Sequence, residues 1–263
     1  MDSGSSLCCA QNDEDGRHEC GAVPSGADTG YARGMDLIIF DLDGTLINSE
    51  AILLAAQRET FARHGLTHPG REAGLGVIGL SLEIALAQLA GDAGIAPVLA
   101  ESYKEVFGDM RRRAEAEPEL DEPLFPGVQR MLDQLAAKPG LKLGIATGKS
   151  RRGLEYIVER HGWNGLFETT QSADDAPSKP HPGMILNAIA ETGAAPHRTA
   201  MVGDSSFDIE MAVAAGVRPV AVAWGFQPPA SLLALGATHL LQSCDDIHAL
   251  FESASEPSAS PVI

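Results

Sequence analysis

Residues 36–46 read Asp-Leu-Ile-Ile-Phe-Asp-Leu-Asp-Gly-Thr-Leu, and the character of the chain changes in the middle of that stretch. Through Phe40 it is a short apolar run, the pattern of a strand buried on both faces. From Asp41 onward two carboxylates, spaced two residues apart, run into an Asp-Gly turn signal. Similar apolar runs recur at 141–147, 199–203 and 219–223. Helical patterns lie between them. Val128, Met131, Leu132 and Leu135 fall on one helix face, while Gly140 and Gly216 stand where helices stop. Strands alternating with helices imply right-handed crossovers and an α/β fold, a doubly wound and mostly parallel sheet.

One stretch breaks the alternation. From Glu50 to Asp121 helices are expected at 51–64, 81–90 and 99–115, with Tyr103, Val106, Phe107 and Met110 sharing a face of the last, and no strand is expected. This reads as a helical cap (50–121) inserted into an α/β core made of 35–49 and 122–252. Residues 1–34 are rich in Gly, Ser, Asp and Glu without apolar periodicity and read as a disordered extension, and 253–263 as a flexible tail. Met35 directly precedes the first strand, so it is positioned as an alternative start. Cys8, Cys9, His18 and Cys20 fall within the extension; with Cys244 they form neither a disulfide framework nor a zinc-site spacing.

The chain has 263 residues, and 19 Lys and Arg against 36 Asp and Glu give a formal net charge of −17. Such a molecule repels nucleic acid and anionic membranes, so neither is expected as a partner. No apolar run is long enough to span a bilayer, and cysteine usage fits a reducing, cytoplasmic location. A phosphate ligand would also be repelled at long range unless a cation were bound with it.

In an open parallel sheet ligands gather beyond the carboxyl ends of the strands. The expected strand ends carry Asp41-Leu42-Asp43-Gly44-Thr45, then Thr147-Gly148-Lys149-Ser150, then Gly203-Asp204-Ser205-Ser206-Phe207-Asp208, and another loop carries Ser178-Lys179-Pro180. Asp41, Asp43, Asp204 and Asp208 cannot sit together as unpaired carboxylates, because close like charges raise one another's pKa. A hard divalent cation resolves that conflict, and an all-oxygen donor set points to magnesium. Lys179 adds a fixed positive charge and Thr147 a hydroxyl, groups that can hold phosphoryl oxygens while charge develops on them. Of the pair Asp41 and Asp43, one carboxylate can attack phosphorus and the other can shuttle the proton.

The ordered set Asp41-Leu42-Asp43-Gly44-Thr45-Leu46, Thr147, Lys179-Pro180 and Gly203-Asp204-x-x-x-Asp208 resembles the four motifs of the haloacid dehalogenase-like hydrolase superfamily, over Met35 to Phe251. The helical insert resembles the cap of its phosphoglycolate phosphatase-like branch, and Pro123-Leu124-Phe125-Pro126-Gly127 resembles the return from cap to core. The resemblance implies a Rossmann-like core and casts Asp41 as nucleophile and magnesium ligand. Asp43 becomes the general acid/base, binding the metal through its backbone carbonyl. Thr147, Gly148 and Lys179 would bind the phosphoryl group and Asp204 would complete the metal site. Asp208 is either a further ligand or orients the ligands and Lys179. An acid at Asp43, absent from the dehalogenases and phosphonoacetaldehyde hydrolases, favours a phosphatase or phosphomutase. The leading substrate is phosphoglycolate among small phosphorylated metabolites, with pyrophosphate and sugar phosphates as alternatives. A mutase similar to beta-phosphoglucomutase and a non-catalytic binding module are the rival readings. A monomer or weak homodimer is expected.

Several other features are read as structural. Asn48 and Gly148 depart from many relatives, which have an acid and an Asn there. Arg111-Arg112-Arg113 reads as a solvated helix face, with at most one or two side chains turned to the site. Gly74-Leu75-Gly76-Val77-Ile78-Gly79 matches a dinucleotide fingerprint but lacks the strand that must precede it. It reads as a loop between cap helices, with Ser81 as the next N-cap and Gly79 and Leu80 near the core. His64 and His161 read as helix ends, His181 as a pocket neighbour, and Trp224 and Phe226 as packing. Removing residues 1–34 is expected to leave phosphate release unchanged, measured against the full chain; a large loss would give that segment a role at the site.

Overall fold

The computed structural model describes residues 34–114 and 116–251. Apart from Gly34, the expected extension and tail lie outside the described residues, as do Cys8, Cys9, His18 and Cys20. Six strands form one parallel sheet: β1 (Leu37–Phe40), β2 (Lys142–Ala146), β3 (Thr169–Gln171), β4 (Thr199–Gly203), β5 (Arg218–Val222) and β6 (His239–Leu241), in the order β3-β2-β1-β4-β5-β6. The order reverses at β1, which pairs with β2 on one side and β4 on the other. A crevice therefore opens beyond the carboxyl end of β1.

The apolar run of β1 serves both faces of the sheet. Ile38 and Phe40 pack into a core with α5 (Val128–Ala136), α6 (Arg151–Arg160) and the 3-10 segment Cys244–Phe251. Leu37 and Ile39 pack into a second core with α7 (Gly183–Thr192) and α8 (Ser206–Ala215). A ninth helix, α9 (Pro229–Ala234), seats Leu232 against Ala221 and Ile209. Two site loops run straight into helices because each supplies the helix's first cap. Ser150 Oγ accepts from Gly153 N–H to start α6, and Ser205 and Asp208 form a capping box that starts α8.

Between β1 and α5 lie four cap helices, α1 (Glu50–Arg63), α2 (Arg71–Gly76), α3 (Leu82–Ala90) and α4 (Ala96–Arg113). They enclose a core of their own, built from Phe61, Leu86, Leu99, Tyr103 and Val106 among others. The two chain crossings into and out of this layer run side by side. Ile47 bridges Leu124, Asn48 N–H donates to Pro123 O at 2.7 Å, and Phe125 N–H donates to Leu46 O at 3.1 Å. Among the described residues no helix is long and apolar enough to cross a membrane.

Three elements differ from the sequence reading. The glycine-rich stretch expected to be a loop holds α2, since a side chain on Gly74 would collide with Leu54 and Gln57 of α1, and its absence lets the two helices touch. Neither β3 nor β6 was expected; both are three-residue strands toward the sheet edges, too short for a periodicity, and β3 reads Thr-Thr-Gln. Ser81 does stand at the N-cap position of α3, but without a side-chain cap; its N–H donates instead to Ser178 Oγ at 2.9 Å. Leu132→Ala, which hollows the contact of α5 with the sheet where Leu132 is fully buried, is expected to cost about 2–5 kcal/mol of unfolding free energy, measured by urea denaturation.

Candidate active site

Each strand on either side of the crevice ends in a polar loop, and these loops converge. Asp41 and Asp43 follow β1, Thr147 and Lys149 follow β2, Asp204 and Asp208 follow β4, and Lys179 arrives on the loop between β3 and α7. All of these side chains are buried or nearly so. Carboxylate oxygens of Asp41, Asp204 and Asp208 lie within 4.8 Å of one another. Lys179 Nζ sits between two of them, 2.7 Å from Asp41 Oδ1 and 2.7 Å from Asp208 Oδ1.

The three acids are not equivalent. Asp208 is fully committed: its Oδ1 accepts from Lys179 and its Oδ2 from Ser205 N–H at 3.1 Å and Ser205 Oγ at 2.6 Å. It positions the lysine. Asp204 is held by Phe226 N–H at 2.7 Å and by Thr45 Oγ at 3.3 Å. Asp41 Oδ2 is buried with no hydrogen-bond partner. An ionised oxygen left so would cost several kcal/mol, and the electrostatics record it. Burial, with Asp208 and Asp43 adding and Lys179 opposing, pushes Asp41 up to about 7. Asp204 is likewise held well above the ordinary carboxylate range, by burial and then by Asp208 and Asp41. Against a burial that alone would lower it, Asp208 and Asp41 keep Lys179 above its usual value and protonated. The set fits a hard divalent cation: its donors are all oxygen, and one of them is orphaned.

Tight backbone approach makes room for this crowding. Gly44 has φ of 87°, and a Cβ there would run into the Asp204 carboxylate. A Cβ on Gly148 would strike the backbone carbonyls of Gly79 and Leu80, so the cap rests directly on the loop after β2. The expectation that Gly79 and Leu80 lie near the core is met, and Ser81 N–H reaching Ser178 Oγ adds a second seam.

The side chain of Asp43 stands outside the three-acid cluster. It accepts from Ser49 Oγ, in the entry crossing to the cap, and pairs with Lys149 Nζ at 2.9 Å. Lys149 in turn contacts Glu122 Oε1 at 3.1 Å, in the exit crossing. Thr147 Oγ accepts from Lys149 N–H at 3.2 Å, which leaves its own proton free to donate.

Some assignments change. Lys149 had no role in the sequence reading although it lies two residues past Thr147; a lysine in a strand-end loop of so acidic a chain was the available signal. Arg111 is not on a solvated face but pairs with Glu122, while Arg112 and Arg113 are exposed and pair with Asp109 and Glu117. Trp224 and Phe226 do more than pack: Trp224 Nε1 donates to Thr45 O at 3.0 Å and Phe226 N–H secures Asp204. His181 is exposed and turns its Nδ1 to Gly183 N–H, not to the pocket.

Residues 38–222 match the haloacid dehalogenase-like hydrolase family. This chain belongs to that family. It is 30% identical over 227 residues to a phosphoglycolate phosphatase of Pseudomonas putida, covering 84% of this chain and 80% of the relative. It is 28% identical over 219 residues to the pyrophosphatase PpaX of Bacillus pumilus, covering 82% and 96%. A haloacid dehalogenase-like family hydrolase from Streptococcus pneumoniae superposes with a TM-score of 0.69 at 25% identity, covering 82% of this chain and 98% of that one. The relatives put it in the phosphoglycolate phosphatase-like branch and mark it as a haloacid dehalogenase-like phosphatase.

Unfolded, Asp41 titrates near its ordinary value of 3.8, and folded near 7. Between these values the folded chain keeps a proton that the unfolded chain has lost, so this group's contribution to stability falls as pH rises through the window. Metal-free protein is therefore expected to melt lower at about pH 8 than at about pH 5 through this site, and magnesium to raise the melting temperature more at the higher pH. Equal magnesium shifts at both pH values would remove the carboxylate cluster as the cation site.

Proposed function

We propose that the protein is a magnesium-dependent hydrolase of small phosphomonoesters that works through an aspartyl phosphate on Asp41. The observation that carries this reading is the orphaned, buried Oδ2 of Asp41, on a carboxylate that lies in the oxygen cluster with Asp204 and Asp208 and whose Oδ1 accepts from Lys179. Asp41, Asp204 and the main-chain carbonyl of Asp43 would hold the cation, with Asp208 holding Lys179. When bound, magnesium supplies positive charge against the carboxylates and the phosphoryl oxygens.

The chain's own groups then divide the work. Lys179, the Thr147 hydroxyl and the backbone at Gly148 hold the phosphoryl oxygens. The Asp41 carboxylate attacks phosphorus in line as the bond to the leaving oxygen breaks, and Asp43 gives that oxygen its proton. A water then attacks the phosphoryl group and gives its proton to Asp43. Phosphate leaves, and Asp41 is restored. The cap, seated on Gly148, excludes water from the first step and admits it by lifting for the second. Small phosphorylated metabolites are the substrates; a cytoplasmic monomer or weak homodimer with no nucleic-acid or membrane partner completes the reading, on the acidic charge of the chain.

Phosphate release from a panel of small phosphomonoesters, including phosphoglycolate and with pyrophosphate alongside, is expected to require magnesium. Asp41→Asn should reduce it by about a thousandfold or more while the far-ultraviolet circular dichroism and melting curve stay cooperative. Asp43→Asn should cost about 10²–10⁴-fold. Substantial release by Asp41→Asn would remove the nucleophile. Isomer exchange of beta-glucose 1-phosphate without net release would instead support the mutase.

A further inference from the structure

The segment 77–81, which joins α2 to α3, touches three of the loops that carry the site. On the loop after β2, a Cβ added to Gly148 would lie 2.5 Å from Leu80 O and 2.6 Å from Gly79 O. On the loop between β3 and α7, Ser178 Oγ accepts from Ser81 N–H at 2.9 Å. After β4, a Cβ added to Gly79 would lie 3.2 Å from Ser205 Oγ and 3.5 Å from the Phe207 ring. Side chains bind the segment to the cap: Val77 and Leu80 belong to the cap core, against which Phe207 also packs, and Ile78 clusters with Leu54 and Leu75 against Phe226. It is therefore a packed part of the cap whose backbone is applied to the core.

Two properties of Gly148 separate it from a glycine that its own loop requires. Its φ lies outside the left-handed region, so the loop itself accepts an alanine. The atoms nearest to an added Cβ all belong to the cap, and all are backbone: Leu80 O, Gly79 O and Gly79 C. Backbone cannot swing aside as the end of a flexible side chain can, so the segment as a whole would have to withdraw. A side chain at 148 thus penalises the seated cap and leaves the lifted cap free of that contact.

Resting on the hydrolase reading above, we propose that Gly148 is a positioning residue: the space left by its missing side chain is the seat of the 77–81 segment, and filling that space props the cap off the phosphoryl site. The loops held together by this seat are those of Thr147, Lys179 and Asp204, so one cap segment sets the distance between the cap and all three. A perturbation that penalises one of two arrangements shifts their populations by that penalty. Phosphoryl transfer to Asp41 needs the seated cap, and a propped cap slows it in proportion to the seated population lost.

The test combines amide hydrogen exchange with a double-mutant cycle on the full chain. Gly148→Ala is expected to speed exchange across 77–81 by about tenfold while exchange in β2 stays as in the wild type. With magnesium present, its kcat/KM on 2-phosphoglycolate and 4-nitrophenyl phosphate should fall by about tenfold or more. Ser178→Ala loosens the same seat without touching the backbone at 148, and should cost about two- to fivefold. Once Gly148→Ala has lifted the cap, adding Ser178→Ala should cost almost nothing further. Unchanged exchange at 77–81 in Gly148→Ala overturns the seat. Faster exchange with an unchanged kcat/KM overturns the positioning role, as do losses that multiply independently in the double variant, the mark of damage to phosphoryl binding by the loop itself; each leaves the hydrolase reading standing. Should Gly148→Ala not fold, an unchanged kcat/KM in Ser178→Ala overturns the proposal. Release by the wild type from neither ester, nor from the wider panel, overturns the hydrolase reading and the catalytic part of this inference with it.

Discussion

Three carboxylates buried within 4.8 Å of one another, with a single ammonium among them, are the constraint on which the rest of the structure depends. Left alone, such a group destabilises the fold, because neither burial nor mutual repulsion permits all three to ionise. The chain tolerates it by giving each acid a different environment. Asp208 is spent on Lys179 and on the cap of α8, Asp204 is held by the loops that follow β1 and β5, and Asp41 keeps one oxygen unpartnered. The strain that remains is concentrated on the unpartnered oxygen of Asp41, the pattern expected when stability is exchanged for a reactive group.

The parallel sheet makes this concentration possible. A sheet covered on both faces by helices is rigid, and its strands end together on one edge, so loops from β1, β2 and β4 deliver side chains to one point with little freedom to rearrange. The same edge receives the cap. Because the two crossings pair with each other through Ile47 and Leu124, the cap joins the core by a narrow double strap, and both halves of that strap reach Asp43: Ser49 directly, and Glu122 through Lys149. Asp43 is consequently tied to both crossings between core and cap.

How much of this could be read from residues alone follows from the range of the interactions involved. The apolar run 36–40 and the loop after it are local signals, since a buried strand and a turn are written in consecutive residues. That is why Asp41, Lys179, Asp204 and Asp208 could be named from sequence, and their side chains do lie together. The helical insert was visible because its apolar faces repeat over many turns. The features that escaped are those fixed by partners distant in the chain. The strand β3 exists because β2 lies beside it, α2 because Gly74 lets it touch α1, and the Lys149–Glu122–Arg111 chain because a core loop, a hinge and a cap helix converge. Nothing near Glu122 in sequence marks it; only the fold brings its two cations to it.

Charge divides the buried ionisable groups at the strand ends into two halves. In one half, Asp41, Asp204 and Asp208 stand against Lys179, so ionisation of all three leaves two negative charges unmatched. That is the complement of one divalent cation. In the other half, Asp43 and Glu122 contact Lys149, and Glu122 also pairs with Arg111. Lys179 is flanked by Asp41 and Asp208 of the three-acid cluster, and Lys149 by Asp43 and Glu122 outside it.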